Sequence, residues 1–359
     1  MRIGIMHITD TLDAGGAERI AVHLVNLLPR ADFAPHLCTT RRDGALGDLV
    51  AADVNRLRLV RRHRFDVDAI RRLCAYVREH RIRILHAHGT SLFVAVAAAS
   101  MPPYPVVVWH DHYGRCEFDD RPVWLYRLAT RRVAAIIAVN EKLADWAKKR
   151  LRVAAERVWY VPNFAVLPSA ELASDLPGER GQRIVCVANF RPAKDHFTLI
   201  RAMKRVVTSF PNAHLLLVGV TNDALYRARV SEEIVREGLT GNVSILGQRA
   251  DVAAILRACD IGVLASASEG FPVTLLEYGL AALPSVATRV GQCAEALDGG
   301  RTGLLISPGA PDELAAALCA LLGAPDLRAR LGEAALRRVQ SVYSPSAALK
   351  AIERIYALI

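Results

Sequence analysis

Residues 266–280 read SASEGFPVTLLEYGL, in which two carboxylates, Glu269 and Glu277, stand eight positions apart around a glycine, a proline and a mostly apolar run. The preceding IGVLAS (261–266) has the make-up of a strand, EGFP that of a loop, and VTLLEYGLA that of a helix. Pro272 suits the first position of that helix, where its missing N–H costs nothing. Free amides at a helix start, with Gly270 beside them, cradle a phosphate. Carboxylates touching an anion would repel it, but they accept hydrogen bonds from hydroxyls attached to one, as on a sugar or a ribose. A sugar diphosphate carries hydroxyls on both sides of its phosphates. The alternative is a glutamate favoured by the helix dipole plus a surface glutamate, and pattern alone leaves both open.

Other residues invite chemistry less strongly. His86/His88 and His110/His112 are spaced to share a strand face, which raises metal binding. No cysteine or carboxylate completes a set nearby, so no metal is expected. Asp66-Val67-Asp68 opens a helix, and either aspartate suits its N-cap. Gly15 and Gly16 sit where a strand gives way to a helix beginning near Glu18, either to bring backbone close to a phosphate or acceptor or simply to turn. The sequence holds no G-x-x-x-x-G-K, G-x-G-x-x-G or G-x-S-x-G, which argues against P-loop, dehydrogenase and α/β-hydrolase chemistry. Its seven cysteines are odd in number, scattered and without a C-x-x-C pair, fitting a reduced protein rather than a disulfide framework.

The elements that must position these residues alternate along the chain. Apolar runs at 3–8, 36–40, 56–60, 84–89, 106–110, 135–140 and 158–162 read as strands, with amphipathic helices such as 18–28 and 68–80 between them. Residues 165–183 are rich in Pro, Gly, Ser and charge and read as a linker. The alternation restarts at 183–190, 214–219, 243–247, 261–266, 284–289 and 303–308. A length of 359 residues and a composition 52% hydrophobic and 23% charged suit two packed domains. The expectation is α/β: two doubly wound, Rossmann-like domains over 1–168 and 169–343, then a capped amphipathic helix at 344–359 that packs back on the first.

Charge is unevenly placed. Residues 1–170 hold 26 Lys and Arg against 17 Asp and Glu, whereas the remainder is almost balanced at 20 against 19. Arg56, Arg58, Arg61, Arg62, Arg64, Arg71 and Arg72 contribute, as do RPVWLYRLATRR (121–132) and WAKKRLR (146–152), which mix aromatics with cations. Such a half suits an anionic membrane surface or an anionic acceptor, or is simply a basic solvated face. No nucleic-acid module accompanies it. The opening MRIGIMHITD reaches Asp10 before a signal-peptide core can form, and the longest apolar run, from Leu92 to Met101, is about half of a bilayer-spanning helix. A cytoplasmic location, peripheral on the inner face of the membrane, is expected.

SEGFPVTLLE resembles the E-x7-E motif of family 4 glycosyltransferases, retaining enzymes of the GT-B fold. The resemblance runs along nearly the whole chain: AGGAE (14–18), HAHG (86–89), VVVWHD (106–111), IIAVNE (136–141), YVPN (160–163), RPAKD (191–195), LLLVG (215–219), ILGQRADV (245–252), RVGQCAE (289–295) and RTGLLISPG (301–309) fall in the family's order. It implies two domains facing a central cleft, with the nucleotide-sugar donor on the second and the acceptor, a lipid-linked or cell-surface glycan precursor, on the first. By this resemblance Glu269, His110, Arg191 and Lys194 are the catalytic set. Glu269 contacts the sugar's hydroxyls, His110 lies near the sugar, and the two cations neutralise the diphosphate without a metal ion or other cofactor. Donor contacts fall to Gly16, Gly219, Gly247, Arg249, Gly270, Phe271, Pro272, Val273 and Glu277, the last on the ribose, and acceptor contacts to Gly15, His88 and Asp111. The sequence departs from the family pattern at Asn189, where an arginine is frequent, at Val220, where a glycine is, and at Gln292, and after Glu277 it reads YGLAALP. No side chain is an obvious covalent nucleophile, so the resemblance implies front-face attack in which the donor's own phosphate takes the acceptor proton. Two other functions fit the same residues: a GT-B enzyme acting on small sugar phosphates or sugar nucleotides, and a non-catalytic sugar-nucleotide-binding or scaffold protein.

Overall fold

The computed structural model describes residues 2–13, 15–63, 66–114, 121–169, 175–221 and 223–359, so Ala14, Arg64 and Cys116 lie outside the described residues. Its strands form two parallel sheets. The first contains β1 (Ile3–Thr9), β2 (Phe33–Thr39), β3 (Asn55–Arg58), β4 (Ile82–His88), β5 (Val106–Asp111), β6 (Val133–Ala138) and β7 (Val158–Tyr160), in the order β3-β2-β1-β4-β5-β6-β7. The second contains β8 (Arg183–Val187), β9 (His214–Val218), β10 (Val243–Gly247), β11 (Ile261–Leu264), β12 (Ser285–Thr288) and β13 (Leu304–Ile306), in the order β10-β9-β8-β11-β12-β13. Each expected strand is present, because runs of Val, Ile and Leu buried on both faces have few other places to go.

Both sheets grow outward from their first strand in one direction and then jump to the other side. β1 pairs with β4 in the first sheet and β8 with β11 in the second. Open α/β sheets bind ligands at such a reversal, beyond the carboxyl ends of the two strands, because the loops there diverge and leave a crevice. The topology therefore points to the loops after β1 and β4, and after β8 and β11.

Contacts divide the chain into two units, Met1–Asn163 with Ser346–Ile359, and Phe164–Pro345. The second unit's core gathers Ile184, Cys186, Leu215, Leu217, Ile261 and Val263 from the strands against Leu199, Met203 and Val206 of the helix His196–Ser209. In the first unit, Ile5, Met6, Ile8, Leu85, Val107, Val108 and Ile137 are buried to within a few percent. The last helix, Pro345–Ala357, buries Ala348, Ile352, Ile355 and Tyr356, and Tyr356 reaches His86 and His7 of the first sheet. Asp66 is the N-cap of the helix Val67–Glu79, its carboxylate accepting from Ala69 N at 3.0 Å and Arg62 N at 2.9 Å, which settles the choice between Asp66 and Asp68. Among the described residues no helix is long and apolar enough to cross a membrane. The described cysteines are free thiols, and all but the half-buried Cys319 are buried.

Candidate active site

In the second unit two loops meet at the switch point. After β8 the chain turns through Arg191 and the single turn Pro192–Lys194, and Asp195, with φ +45°, caps the next helix by accepting from Thr198 N. After β11 it runs through Ser266 to Gly270 into the helix Val273–Leu280. Ala267 N donates to Ala193 O at 2.9 Å, tying the loops together. Lys194 Nζ donates to Glu269 Oε1 at 2.5 Å, and Ser266 Oγ donates to the same oxygen at 2.6 Å. Both charged side chains are about nine-tenths buried, so the pair is shielded from water and its attraction is strong. The same ammonium adds to burial in lowering His196 to about 4. Arg191 is exposed.

Pro272 stands one place before the helix, in extended conformation, rather than at its first position. Its lack of an N–H is harmless there as well, since the first amides of a helix have no partner within it. Glu277 is the helix's fifth residue and buried, with Val273, Leu275 and Leu276 forming the buried run between the two acids. The next residue, Tyr278, is fully buried beneath the strands: its hydroxyl accepts from Val187 N at 2.9 Å and lies 3.2 Å from both Val185 O and Val263 O. One side chain thus sets the helix height against β8 and β11. Gly291 (φ +51°) passes so close to the motif loop that a Cβ there would lie 2.1 Å from Glu269 O, and Gln292 N donates to Gly270 O.

Gly219 follows β9 where a Cβ would collide with Ala188 O at 2.0 Å, so glycine is required by backbone approach. Val220 N donates to Asn189 Oδ1 at 3.1 Å, so the residues that depart from the resemblance at these two positions bond to each other. Gly247 ends β10 with φ +66°. Arg249 is held in a fork by Asp251, at 2.7 and 2.6 Å, which raises the guanidinium and lowers the carboxyl.

In the first unit Gly15 is the N-cap of the helix Gly16–Leu27, which begins two residues before Glu18 and lacks a side-chain cap. Asp111 is not free to meet an acceptor: its carboxylate accepts from Arg121 Nη1 at 2.7 Å and from Tyr113 N at 3.1 Å. Burial pushes that carboxyl up and Arg121 opposes it. Arg121 in turn lies 3.6 Å from the Trp146 ring centre and 4.3 Å from that of Tyr113. Around it Lys142, Asp145, Lys149 and Arg150 line a cavity of about 280 Å³, where a helix ends in the π-helical turn Trp146–Arg150. A site with this lining takes an anionic group or a ring.

His110 sits at the end of β5, buried, its Nδ1 3.1 Å from His86 Nε2. His88 is committed on both sides, 3.0 Å from His7 and 3.0 Å from His112. The five rings cluster because β1, β4 and β5 are neighbours whose registers place His7 beside His86 and His88 beside His110. Burial holds His7 and His112 down to about 3 and the other three well below their ordinary value, so all are neutral imidazoles at neutral pH. His7, His86 and His88, and likewise His88, His110 and His112, bring ring nitrogens within 4.8 Å of one another, near enough to hold a metal ion. Sequence reasoning missed His7 and Tyr356. A histidine inside the otherwise apolar IGIMHIT was the available signal, once β1 and β4 were placed side by side.

Two family models match the chain: "Glycosyltransferase Family 4" over residues 14–166 and "Glycosyl transferases group 1" over 181–324, which together span most of it. An N-acetyl-alpha-D-glucosaminyl L-malate synthase of Bacillus anthracis is 29% identical over 173 residues, covering 48% of this chain and 44% of that protein. A lipopolysaccharide core biosynthesis mannosyltransferase of Rhizobium leguminosarum is 25% identical over 232 residues, 63% of this chain and 65% of the other. The chain thus spans about half the length of several curated relatives it matches. Anabaena HepE, solved with UDP-glucose, superposes with a TM-score of 0.84 at 19% identity over the full length of both chains. At that identity the likeness concerns the fold, two Rossmann-like domains of GT-B type.

Proposed function

We propose that this chain, which belongs to the family 4 glycosyltransferases, moves a sugar from a nucleotide-diphosphate donor to an acceptor, retaining the configuration at the transferred carbon and needing no metal ion. The observation that carries the reading is the Ser266–Glu269–Lys194 constellation at the reversal of the second sheet, beside the start of the helix Val273–Leu280. There the free amides of the helix and the Lys194 ammonium supply positive potential for phosphate, while Glu269 accepts hydroxyls of the sugar and Glu277 those of the ribose. Charge accumulating on the departing nucleotide is met by Lys194 and Arg191, fixed cations in the place a divalent ion would otherwise take.

His110, near the end of β5 and one strand beyond the reversal of the first sheet, is assigned to the sugar in this reading. His88 and Asp111, engaged by other side chains, act in support. The acceptor is an anionic glycan precursor whose charge meets the cavity around Arg121, Lys142, Lys149 and Arg150. The relatives agree in kind: one is named for lipopolysaccharide core biosynthesis and one is solved with a UDP-sugar.

Thermal-shift screening against UDP-, GDP-, ADP- and TDP-sugars tests the donor site. A ligand at a hundred times its Kd adds about 2.7 kcal/mol of stability, a clear rise in Tm. One nucleotide-sugar class is expected to stand out, and Glu269→Gln is expected to keep the nucleotide response while losing transfer. A response confined to nucleoside monophosphates or nucleic acid would sink the assignment. Turnover with small acceptors only would favour an enzyme of sugar phosphates, and donor binding without turnover a binding protein.

A further inference from the structure

The motif helix Val273–Leu280 rests at backbone distance on the helix Pro325–Val342. A Cβ on Gly279 would lie 2.6 Å from Val339 Cγ2 and 3.2 Å from Ala335 O, and one on Gly332 would lie 2.1 Å from Ala282 O. Glycine inside a helix costs stability, so its use at both positions marks an approach that any side chain would prevent. The end of the supporting helix then carries two residues toward the motif loop. Tyr343, buried, meets the buried ring of Phe271 edge to face, with centres 5.3 Å apart and planes 64° from parallel. That is a favoured geometry for an aromatic pair.

Arg338 acts on the loop's other support. After β12 the chain passes Gly291, pressed against Glu269 O, and Gln292, whose N–H donates to Gly270 O at 3.1 Å, and then makes the short helix Cys293–Ala296. The last carbonyls of a helix have no partner within it. Here the Arg338 guanidinium meets them: Nη2 donates to Glu295 O at 2.6 Å and Nε to Ala296 O at 3.2 Å, while Nη1 pairs with Asp298 Oδ1 at 2.8 Å. Tyr343 Oη donates to the same Glu295 O at 3.3 Å. One planar fork and one ring therefore tie both segment 291–298 and Phe271 to the end of a single helix. A lysine ammonium, a point charge on a flexible stem, cannot reproduce the fork.

Resting on the glycosyltransferase reading above, we propose that Arg338 and Tyr343 are positioning residues of the donor site: they hold the loop 269–272 in the shape that receives the nucleotide-sugar. Neither touches the substrate. Arg338 is not a further cation for the diphosphate, because its N–H groups are directed to Glu295, Ala296 and Asp298. Without the two residues the loop samples other positions, and apparent donor affinity falls by the fraction of time the loop is correctly seated. A bound donor seats the loop through its own contacts, so turnover at saturation changes little. The signature is a rise in donor KM at nearly constant kcat. A merely structural role would lower Tm and leave KM where it is.

The test joins hydrogen exchange on the full chain without ligand to calorimetric binding of UDP, GDP, ADP and TDP. In Arg338→Met and in Tyr343→Leu, exchange should quicken over segments 266–276 and 288–297 and stay slow in β9. The nucleotide that wild type binds should bind each variant about tenfold more weakly, and donor KM should rise by the same factor with kcat held within about threefold. Tyr343→Phe, which keeps the ring, should bind as wild type does. Arg338→Lys, which keeps the charge, should remain as weak as Arg338→Met. Wild-type affinity in Arg338→Lys would make Arg338 a charge rather than a fork and overturn its positioning role. Unchanged affinity in Arg338→Met and Tyr343→Leu, with exchange quickened throughout the second unit, would make both residues merely structural and overturn the proposal while the donor reading stands. Failure of wild type to bind any of these nucleotides would undo the donor reading itself, and the proposal with it.

Discussion

Lys194 and Glu269 hold each other in a pocket from which water is largely excluded, and Ser266 adds a second donor to the same carboxylate oxygen. Removing one member of such a pair leaves the other charge buried and poorly satisfied, which costs more than the pair itself contributes. Lys194→Met is therefore expected to lose on the order of 3 kcal/mol of stability and about a hundred- to thousandfold in transfer, the loss typical of a deleted charge stabiliser. Lys194→Met with Glu269→Gln should regain much of the stability and none of the activity. Urea titrations beside kinetic assays measure both, and a double variant no more stable than Lys194→Met would refute the buried-pair account. The residue types here were visible in the sequence as the spacing of Glu269 and Glu277 after a strand and as the RPAK turn, but the Lys194–Glu269 pair was not. Partners were not visible. That Asp251 holds Arg249, that Arg121 holds Asp111, and that Asn189 bonds Val220 depend on side chains meeting in space, which no one-dimensional pattern records.

At the scale of elements, the helix Val123–Ala129 exposes Trp124 and Leu128, four positions apart and so on one face. Arg131 and Arg132 follow it exposed, and Arg127 Nη2 donates to Arg150 O, bringing the Lys148–Lys149–Arg150 segment alongside. The two aromatic and basic stretches noted in the sequence thus form one surface of the first unit. Large apolar side chains ringed by cations suit an anionic leaflet, where each cation near the surface contributes about 1 kcal/mol. Co-sedimentation is expected with phosphatidylglycerol vesicles and not with phosphatidylcholine vesicles, weakening as salt is raised. Trp124→Ser with Leu128→Ser should release the protein without changing its Tm by more than a degree or two. Equal binding to neutral vesicles, or no effect of the double substitution, would refute a membrane face. Strands and long helices were readable because burial imposes a period on many residues at once. Pro272's place just before its helix and the single turn at Pro192–Lys194 were not, since one or two residues carry no period.

For the whole molecule, two parallel sheets were legible from the alternation of strands and helices, because a parallel neighbour needs a crossover and so leaves its mark in chain order, whereas the strand order within each sheet was not read. A return of the last helix to the first domain was part of the sequence reading, but the side chains it brings together were illegible: Tyr356 meets His86 across 270 residues. That meeting completes a set of buried neutral histidines whose consequence is global. Each has its folded-state pKa lowered by burial, to about 3 for His7 and His112, against 6.5 when exposed. The unfolded chain therefore binds protons that the folded chain refuses once pH drops below 6.5, and stability present above that pH is lost on the way down toward 3. Each such histidine contributes a slope of up to about 1.4 kcal/mol per pH unit. Asp111, raised by burial, works in the opposite sense, and the surface aspartates held low by arginines or lysines, such as Asp145 and Asp298, come into play only below about pH 4. Between pH 6.5 and 4.5 the histidines dominate the slope, opposed by Asp111, and the first unit, which holds the cluster, carries most of them. Urea midpoints should fall steeply across that window, and backbone amides of β1 and β4 should lose hydrogen-exchange protection before those of β8 and β9. His7→Gln should reduce the slope by about one proton. A midpoint unchanged between pH 6.5 and 4.5 would mean that the imidazoles are charged or hydrated in the folded protein.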